Sequence, residues 1–198
     1  MNLASQESLP HGLHLLELEN YETTFAQALQ ELEATKGEWT FSHKIKGRWE
    51  NTYVPIRSVP ATKEILNLAT NAANRTFGKR LVCCQGLENF IKDAFWFNIM
   101  GKGESTGWHN HNAKAHVSGV CYLDVPPDSG RFKYRDPEGN VHLHTPQTGT
   151  ILLFPSSLNH AVETSQNEQP RISLAFNFFT LPLQLDPHED PFAGNPFL

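Results

Sequence analysis

The second half of the chain consists of short apolar runs separated by glycine and proline, and this pattern most restricts the fold. The runs lie at 94–100, 116–124, 131–135, 141–144, 150–154, 159–163 and 171–180. Many short strands at this spacing are typical of a sandwich or barrel, whereas a parallel sheet needs helices between its strands. The pattern therefore predicts an all-β core.

Helical patterns come before this core. Over residues 21–35, apolar side chains repeat at helical spacing and predict a helix with Asn20 as its N-cap. A second helix is predicted from Pro60 to Phe77, because proline favours the first helical position and Gly78 suits a helix end. The other predicted elements of this part are a strand at 12–18, a partly extended connection at 38–58 and a short helix near 86–92.

Two helices followed by about eight strands predict a mainly β fold with flanking helices, namely a jelly roll with the N-terminal helices packed outside. A chain of 198 residues, of which 39% are apolar, can bury one core. We therefore expect a single domain over residues 1–198. It would comprise a helical part at about 1–93, the jelly-roll core at about 94–180 and an extended tail at 181–198.

Charge and composition argue against several partners. The 16 basic and 21 acidic residues give a net charge of −5, which does not favour binding to a nucleic-acid backbone. No stretch approaches the ~18 apolar residues of a membrane span, and the first ten residues lack a signal-peptide pattern. The odd number of cysteines, 3, suits free thiols in a reducing compartment. We expect a cytoplasmic protein with neither nucleic-acid nor membrane partners.

The tail after residue 181 contains several prolines together with Phe192 and Phe197. We expect it to cross the surface without regular structure. The two phenylalanines could anchor it on the body of the domain or on a second copy of the chain, which leaves a homodimer open.

A histidine pair lies between two of the predicted strands. If His109 and His111 lie in an extended segment, the period of two places both imidazoles on one face, where they can hold one metal ion. Alternatively, both are exposed loop histidines. His160 follows a buried run that begins after a glycine turn at Gly149, and it is either a further ligand or a surface residue.

The last predicted strand carries a different signal. Arg171 and Ser173 share its small and polar face, and together they offer a fork for a carboxylate. A strand with one solvated face is the alternative. The spacings are 160 − 111 = 49 residues between the second and third histidines and 171 − 160 = 11 residues from there to the arginine.

Taken together, these motifs resemble a known family. His-x-His, Ser-Gly-Val from Ser118, Asp-Pro at Asp136, Phe-Pro-Ser from Phe154 and Arg-Ile-Ser from Arg171 follow in order over about residues 94–180. The run is similar to small single-domain oxygenases that depend on Fe(II) and 2-oxoglutarate, in the prolyl-hydroxylase-like branch. The resemblance implies a double-stranded β-helix of the cupin type.

The resemblance also implies the site. In the wider superfamily, a His-x-Asp/Glu pair and a distal histidine hold the iron, whereas the small group carries His-x-His, so the resemblance implies that His109, His111 and His160 hold iron here. His111 stands where most relatives have a carboxylate, which makes the predicted site one of three imidazoles. Arg171 and Ser173 would bind the distal carboxylate of 2-oxoglutarate.

Other positions carry weaker signals. Asn98 could face the cosubstrate or be an amide at the edge of the core, and Tyr122 could line the pocket. We interpret His142 and His144 as a solvent-facing pair. Further candidates are Lys133 and Trp108 near the pocket and, for a substrate lid, Arg48, Trp49, Asn51 and Tyr53.

The predicted function is that of an oxidoreductase, a non-haem iron dioxygenase that uses Fe(II), 2-oxoglutarate and O2. It would hydroxylate a small molecule or a peptide side chain and release succinate and CO2. Two alternatives are a three-histidine cupin-type dioxygenase that uses no 2-oxoglutarate and a jelly roll that binds a sugar or a metal without catalysis. In the former, Arg171 would bind the substrate's own carboxylate.

Overall fold

The computed structural model describes residues 1–42, 44–45, 48–85, 94–112 and 115–183. Its N-terminal part contains β1 (Asn2–Ser8), β2 (His14–Glu19), α1 (Glu22–Ala34), β3 (Thr40–Phe41), β4 (Lys44–Ile45), β5 (Arg48–Trp49), β6 (Thr52–Tyr53), α2 (Thr62–Phe77) and β7 (Leu81–Val82). Short 3-10 turns lie at Pro10–Gly12 and Lys36–Glu38. The C-terminal part contains β8 (Phe95–Met100), β9 (Thr106–His109), β10 (Val117–Asp124), β11 (Phe132–Arg135), β12 (Val141–His144), β13 (Thr150–Pro155), β14 (His160–Val162) and β15 (Arg171–Thr180).

Two antiparallel sheets make up the core. The large sheet has the order β1-β2-β13-β10-β15-β8-β6-β3, with β7 beside β15, and the small sheet has the order β12-β11-β14-β9. Side chains from β10 and β13 of the large sheet pack directly against Phe132 and Tyr134 of the small sheet. The two sheets therefore enclose a common interior, and the predicted double-stranded β-helix is confirmed.

The helices cover the outer face of the large sheet. Phe25 and Leu32 of α1 and Ile65 of α2 belong to the same apolar cluster as Cys121 and Leu174 of the sheet. Because successive side chains of a strand point to opposite faces, β10 directs Cys121 toward the helices and Tyr122 toward the interior. This arrangement confirms the prediction that the helices pack outside.

The predicted helix boundaries need correction at the N-terminal ends. Asn20 is not an N-cap: it has a left-handed backbone with φ 53°, and Tyr21 precedes the first helical residue without a capping side chain. Pro60 lies outside α2, which begins at Thr62. Gly78 ends α2 in the left-handed conformation, as its sequence predicts.

The short helix predicted near 86–92 and the tail phenylalanines Phe192 and Phe197 lie outside the described residues. The division of the chain into one domain with the boundaries given above stays a prediction. Among the described residues, no helix has the length and apolar character that a membrane crossing requires.

Candidate metal centre

Three histidines meet at the inner face of the small sheet. His109 ends β9 and lies opposite His160 of β14, so the antiparallel pairing brings these two together. His111 lies two residues beyond β9 and not within one long extended segment, and its backbone NH donates to the Ser156 carbonyl at 2.8 Å. One ligand nitrogen of each of the three lies within 4.8 Å of the others.

Backbone carbonyls orient two of these rings. Nδ1 of His109 lies 2.9 Å from the Gly107 carbonyl, and Nδ1 of His160 lies 2.9 Å from the Leu158 carbonyl. Each Nδ1 must therefore donate its proton to the backbone, which leaves Nε2 with a lone pair for a metal. Such hydrogen bonds commonly fix the tautomer and the orientation of metal-binding histidines.

Aromatic side chains pack around the third histidine. Phe132 stacks on His160 at 5.5 Å between ring centroids, and Phe154 meets it edge-on at 4.8 Å. Burial lowers the pKa of His160 well below its usual value, and the nearby His109 lowers it further. His160 is thus neutral at pH 7, the form in which imidazole binds a metal.

The three imidazoles fit a first-row transition metal. Imidazole is a suitable ligand for iron, zinc, nickel and copper, and the three side chains offer three nitrogen atoms to one ion. Among the residues that the structure describes, no Asp or Glu joins this cluster. The donor chemistry therefore fits Fe(II), although it does not select it over other divalent metals.

The histidines line a cavity between the two sheets. The empty space of this cavity is about 620 Å³, including the solvent space at its open mouth. Arg171, Ser173 and Asn98 line the same cavity. The structure thus brings the three histidines and three of the four predicted cosubstrate residues to one cavity. The fourth, Tyr122, is not among the lining residues.

Arg171 lies deep in this cavity. Only 3% of its surface is exposed, its Nη1 donates to the Gly130 carbonyl at 2.8 Å, and its guanidinium carbon lies 5.0 Å from the centre of the Tyr122 ring. Ser173 is 2% exposed and occupies the same face of β15. A buried guanidinium has a strong preference for an anionic partner, so these residues fit a carboxylate ligand.

Tyr122 is buried beside Arg171. Burial raises the pKa of Tyr122 to about 12, although the positive charge of Arg171 opposes the shift. The hydroxyl group is therefore protonated at neutral pH and can donate a hydrogen bond to an anion near the guanidinium.

The prediction that His142 and His144 of β12 face solvent is wrong. His142 and His144 lie opposite Tyr134 and Phe132 on the neighbouring strand and share their inward direction, whereas Val141 and Leu143 are exposed. Nε2 of His144 is buried and lacks a hydrogen-bond partner among the described residues. Burial lowers the pKa of His144, and the charge of Arg171 lowers it further.

Asn98 takes part in the wall of the cavity. When its amide is oriented for hydrogen bonding, Nδ2 donates to the Glu50 carbonyl at 2.6 Å and Oδ1 accepts from Trp96 Nε1 at 3.2 Å. The Trp96 ring in turn lies 5.6 Å from that of His111. Asn98 thus connects two parts of the cavity wall, namely Trp96, which lies beside His111, and the backbone at Glu50.

Two pocket residues come from the long N-terminal connection. Glu50 and Asn51 line the cavity, and Asn51 donates to the Tyr53 hydroxyl at 3.2 Å. Asn51 and Tyr53 were candidates for a lid, but the sequence offered no signal for Glu50, because nothing local ties it to strands about 50 residues away. The side chains of Arg48 and Trp49 lie outside the described part of the chain.

Lys133 does not line the cavity. It points to the outer face of the small sheet, where its ammonium lies 5.0 Å from the centre of the Trp108 ring and Arg135 lies 4.5 Å from the same ring. These contacts are cation–π contacts on the surface. Trp108 therefore packs on the outside of the sheet beside His109.

Comparison with known proteins gives a family match in the strand core. A family described as "Putative 2OG-Fe(II) oxygenase" matches residues 94–146 and 133–177. The matched segments coincide with the part that carried the resemblance in the sequence, and they confirm it. No curated protein matches the sequence.

Solved structures agree with the fold. A Pseudomonas putida prolyl-4-hydroxylase superposes with a TM-score of 0.60 at 20% identity, covering 86% of this chain and 94% of that one. A prolyl hydroxylase from Trichoplax adhaerens, in complex with a hypoxia-inducible-factor peptide, gives 0.63 at 16% identity and covers 86% and 84%. The 2-oxoglutarate-dependent carbocyclase SnoK of nogalamycin biosynthesis gives 0.67 at 15% identity and covers 86% and 80%.

Proposed function

We propose that this chain is a member of the 2OG-Fe(II) oxygenase family, that it holds iron with His109, His111 and His160 and that it binds 2-oxoglutarate at Arg171. As a member of that family it is a 2-oxoglutarate-dependent non-haem iron enzyme that uses Fe(II), 2-oxoglutarate and O2. The observation that carries the residue assignment is the convergence of three imidazoles on the cavity that Arg171 also lines.

The bound iron supplies the oxidising chemistry, in which O2 converts 2-oxoglutarate to succinate and CO2 and delivers its second oxygen atom to the substrate. The chain contributes geometry. The backbone carbonyls of Gly107 and Leu158 hold His109 and His160 with Nε2 toward the shared centre. Phe132 and Phe154 keep water away from His160.

We assign the distal carboxylate of 2-oxoglutarate to the buried group around Arg171. Arg171 offers a planar fork, and Ser173 and Tyr122 offer hydroxyl groups from the neighbouring strands β15 and β10. Ser173 and Tyr122 are direct cross-strand partners, so their side chains share one face. Asn98, the partner of Ser173 on β8, stays a candidate for cosubstrate contact at the wall.

Three neutral ligands change the electrostatics of the centre. A metal held by three imidazoles is one charge unit more positive than one held by two imidazoles and a carboxylate. That extra charge attracts the dianionic 2-oxoglutarate more strongly, and it disfavours loss of the cosubstrate. The same ligand set admits zinc or nickel, which should be removed before the protein is assayed.

The proposed outcome is hydroxylation of a small molecule or a peptide side chain. A peptide is supported by the prolyl hydroxylase that was solved with a peptide fragment, and a small molecule by the carbocyclase. The cavity is lined by apolar side chains such as Val120 and Phe154 and by the polar residues Glu50 and Asn51. This lining suits a partly apolar substrate that also carries a polar group.

Succinate release tests the proposal. Purified protein is stripped of metal, loaded anaerobically with Fe(II) and given 2-oxoglutarate, ascorbate and O2. We expect slow succinate formation without substrate, and its loss in His160→Ala but not in His14→Ala, a half-buried histidine of β2 outside the cluster. Absence of succinate from the iron-loaded protein would favour either a dioxygenase that uses no 2-oxoglutarate or a binding protein.

A further inference from the structure

A second group of metal-binding side chains shares no residue with the three histidines. His11, Asp136 and His142 each direct one ligand atom to a common space, and these atoms lie within 4.8 Å of one another. Asp136 directly follows β11, His142 lies on β12 of the same hairpin, and His11 comes from the turn before β2. The group thus joins the N-terminal segment to the small sheet.

The carboxylate of this group is held in one orientation. Oδ1 of Asp136 accepts the Asn140 backbone NH at 2.8 Å, and Oδ2 accepts Asn140 Nδ2 at 3.0 Å. Nε2 of His142 lies 2.8 Å from the same Oδ2. The hairpin turn alone therefore fixes two potential ligand atoms side by side, because Asp136 is 8% exposed and has little freedom to rotate.

The third side chain, that of His11, reaches this pair from a left-handed backbone conformation, which is uncommon for residues other than glycine. His11 has φ 62° and ψ 26°, the left-handed region that a residue with a Cβ seldom occupies. Its ring lies 4.7 Å from that of His142 and 6.0 Å from that of Tyr134. A hydrogen bond between Asp136 and His142 explains two members of the group, but it does not explain why His11 is brought to them.

We propose that His11, Asp136 and His142 form a second metal site, which takes a divalent transition ion such as zinc. Two imidazoles and one carboxylate are typical zinc ligands, and they offer too few oxygen atoms for calcium or magnesium. The 2.8 Å between His142 and Asp136 approaches the separation of neighbouring ligands around an ion with bonds of ~2.0–2.2 Å. On binding, the neutral His142 ring changes tautomer: Nε2 gives its proton to solvent and Nδ1 takes one from solvent, so Nε2 has a lone pair for the metal. Water completes the coordination on the exposed side of His11.

The site would act as a clamp. It connects residues that are 136 − 11 = 125 positions apart, so a bound ion restricts the unfolded chain strongly and stabilises the contact between the Pro10–Gly12 turn and the β11–β12 hairpin. Because none of its ligands lines the cavity, the clamp is a structural site and is independent of the proposed iron centre.

Zinc binding to the full chain tests this site with a readout other than activity. Metal-free protein is dialysed against buffered Zn(II), and the bound zinc is counted by elemental analysis. The variants are His11→Asn, His142→Ala and His109→Ala, with His14→Ala as the matched control. Asparagine tolerates the left-handed backbone, so His11→Asn removes the imidazole and keeps the turn.

We expect two zinc ions in the native chain and in His14→Ala, and one in each of the other three variants. Loss of one ligand should weaken the second site by at least about 10-fold. Two ions in His11→Asn would overturn the proposal, and so would equal losses in His11→Asn and His14→Ala or a dissociation constant weaker than about 100 µM. If the iron-site assignment fails instead, His109→Ala binds as much zinc as the native chain, and His11→Asn still loses one ion.

Discussion

Replacement of Arg171 by alanine should weaken the binding of 2-oxoglutarate without weakening the binding of iron. Arg171 is 3% exposed, and its removal leaves the distal carboxylate of 2-oxoglutarate and the Gly130 carbonyl without their charged donor. Truncation of one partner in a buried, charge-assisted contact costs roughly 2–5 kcal/mol, which corresponds to about 30-fold to several-thousand-fold weaker binding. Iron binding should change little, because Arg171 is not among the clustered ligands.

Anaerobic titration of the iron-loaded variants with 2-oxoglutarate measures the effect. Arg131→Ala is the matched control, since Arg131 pairs with Glu163 at 2.7 Å on the surface and should leave the dissociation constant unchanged. Arg171→Lys should recover only part of the affinity, because lysine keeps the charge but lacks the planar fork. A dissociation constant that is unaltered in Arg171→Ala would refute the assignment, as would an equal loss of iron.

Three further predictions follow from the site and its supports. His111→Asp should retain iron but bind 2-oxoglutarate less tightly and turn over at least ~10-fold more slowly, because the centre loses one positive unit and its surroundings fit an imidazole; titration and succinate release check both. Phe132→Ala should lower the free energy of unfolding by about 3–5 kcal/mol in urea, since Phe132 is 3% exposed and packs on His160; a change below 1 kcal/mol would contradict this packing. Hydrogen bonds from His142, and then from Asn140, lower the pKa of Asp136, so the ionised carboxylate stabilises the fold above the ordinary carboxyl pKa of about 4. The difference in free energy of unfolding between the native chain and Asp136→Asn should therefore shrink as pH falls below that value. A difference that is unchanged at pH 3 would argue against this role of Asp136.

The strands of the core could be predicted because their signals are local. Each predicted run from 94 onward agrees with an observed strand to within a residue, since apolar alternation and glycine breaks act over a few positions. Gly149 is an example: it has φ 86°, and a Cβ there would collide with the Tyr21 ring, so the turn before β13 requires glycine.

Long-range pairing explains what the sequence did not predict. Strand β1 is polar and mostly exposed, and only its pairing with β2 makes it a strand. The inward direction of His142 and His144 follows from their register with Phe132 and Tyr134, which a run of four residues does not specify. The approach of Glu50 to the cavity and of His11 to the hairpin depends in the same way on the packing of distant segments.

The central claim is that three imidazoles and no carboxylate hold the iron. A crystal structure of the anaerobic protein with Fe(II) and 2-oxoglutarate, with iron located by anomalous scattering, tests it most directly. The account predicts nitrogen atoms of His109, His111 and His160 at ~2.0–2.2 Å from the iron and the distal carboxylate at Arg171. A structure in which His111 points away and a carboxylate or another residue completes the ligand set would contradict it.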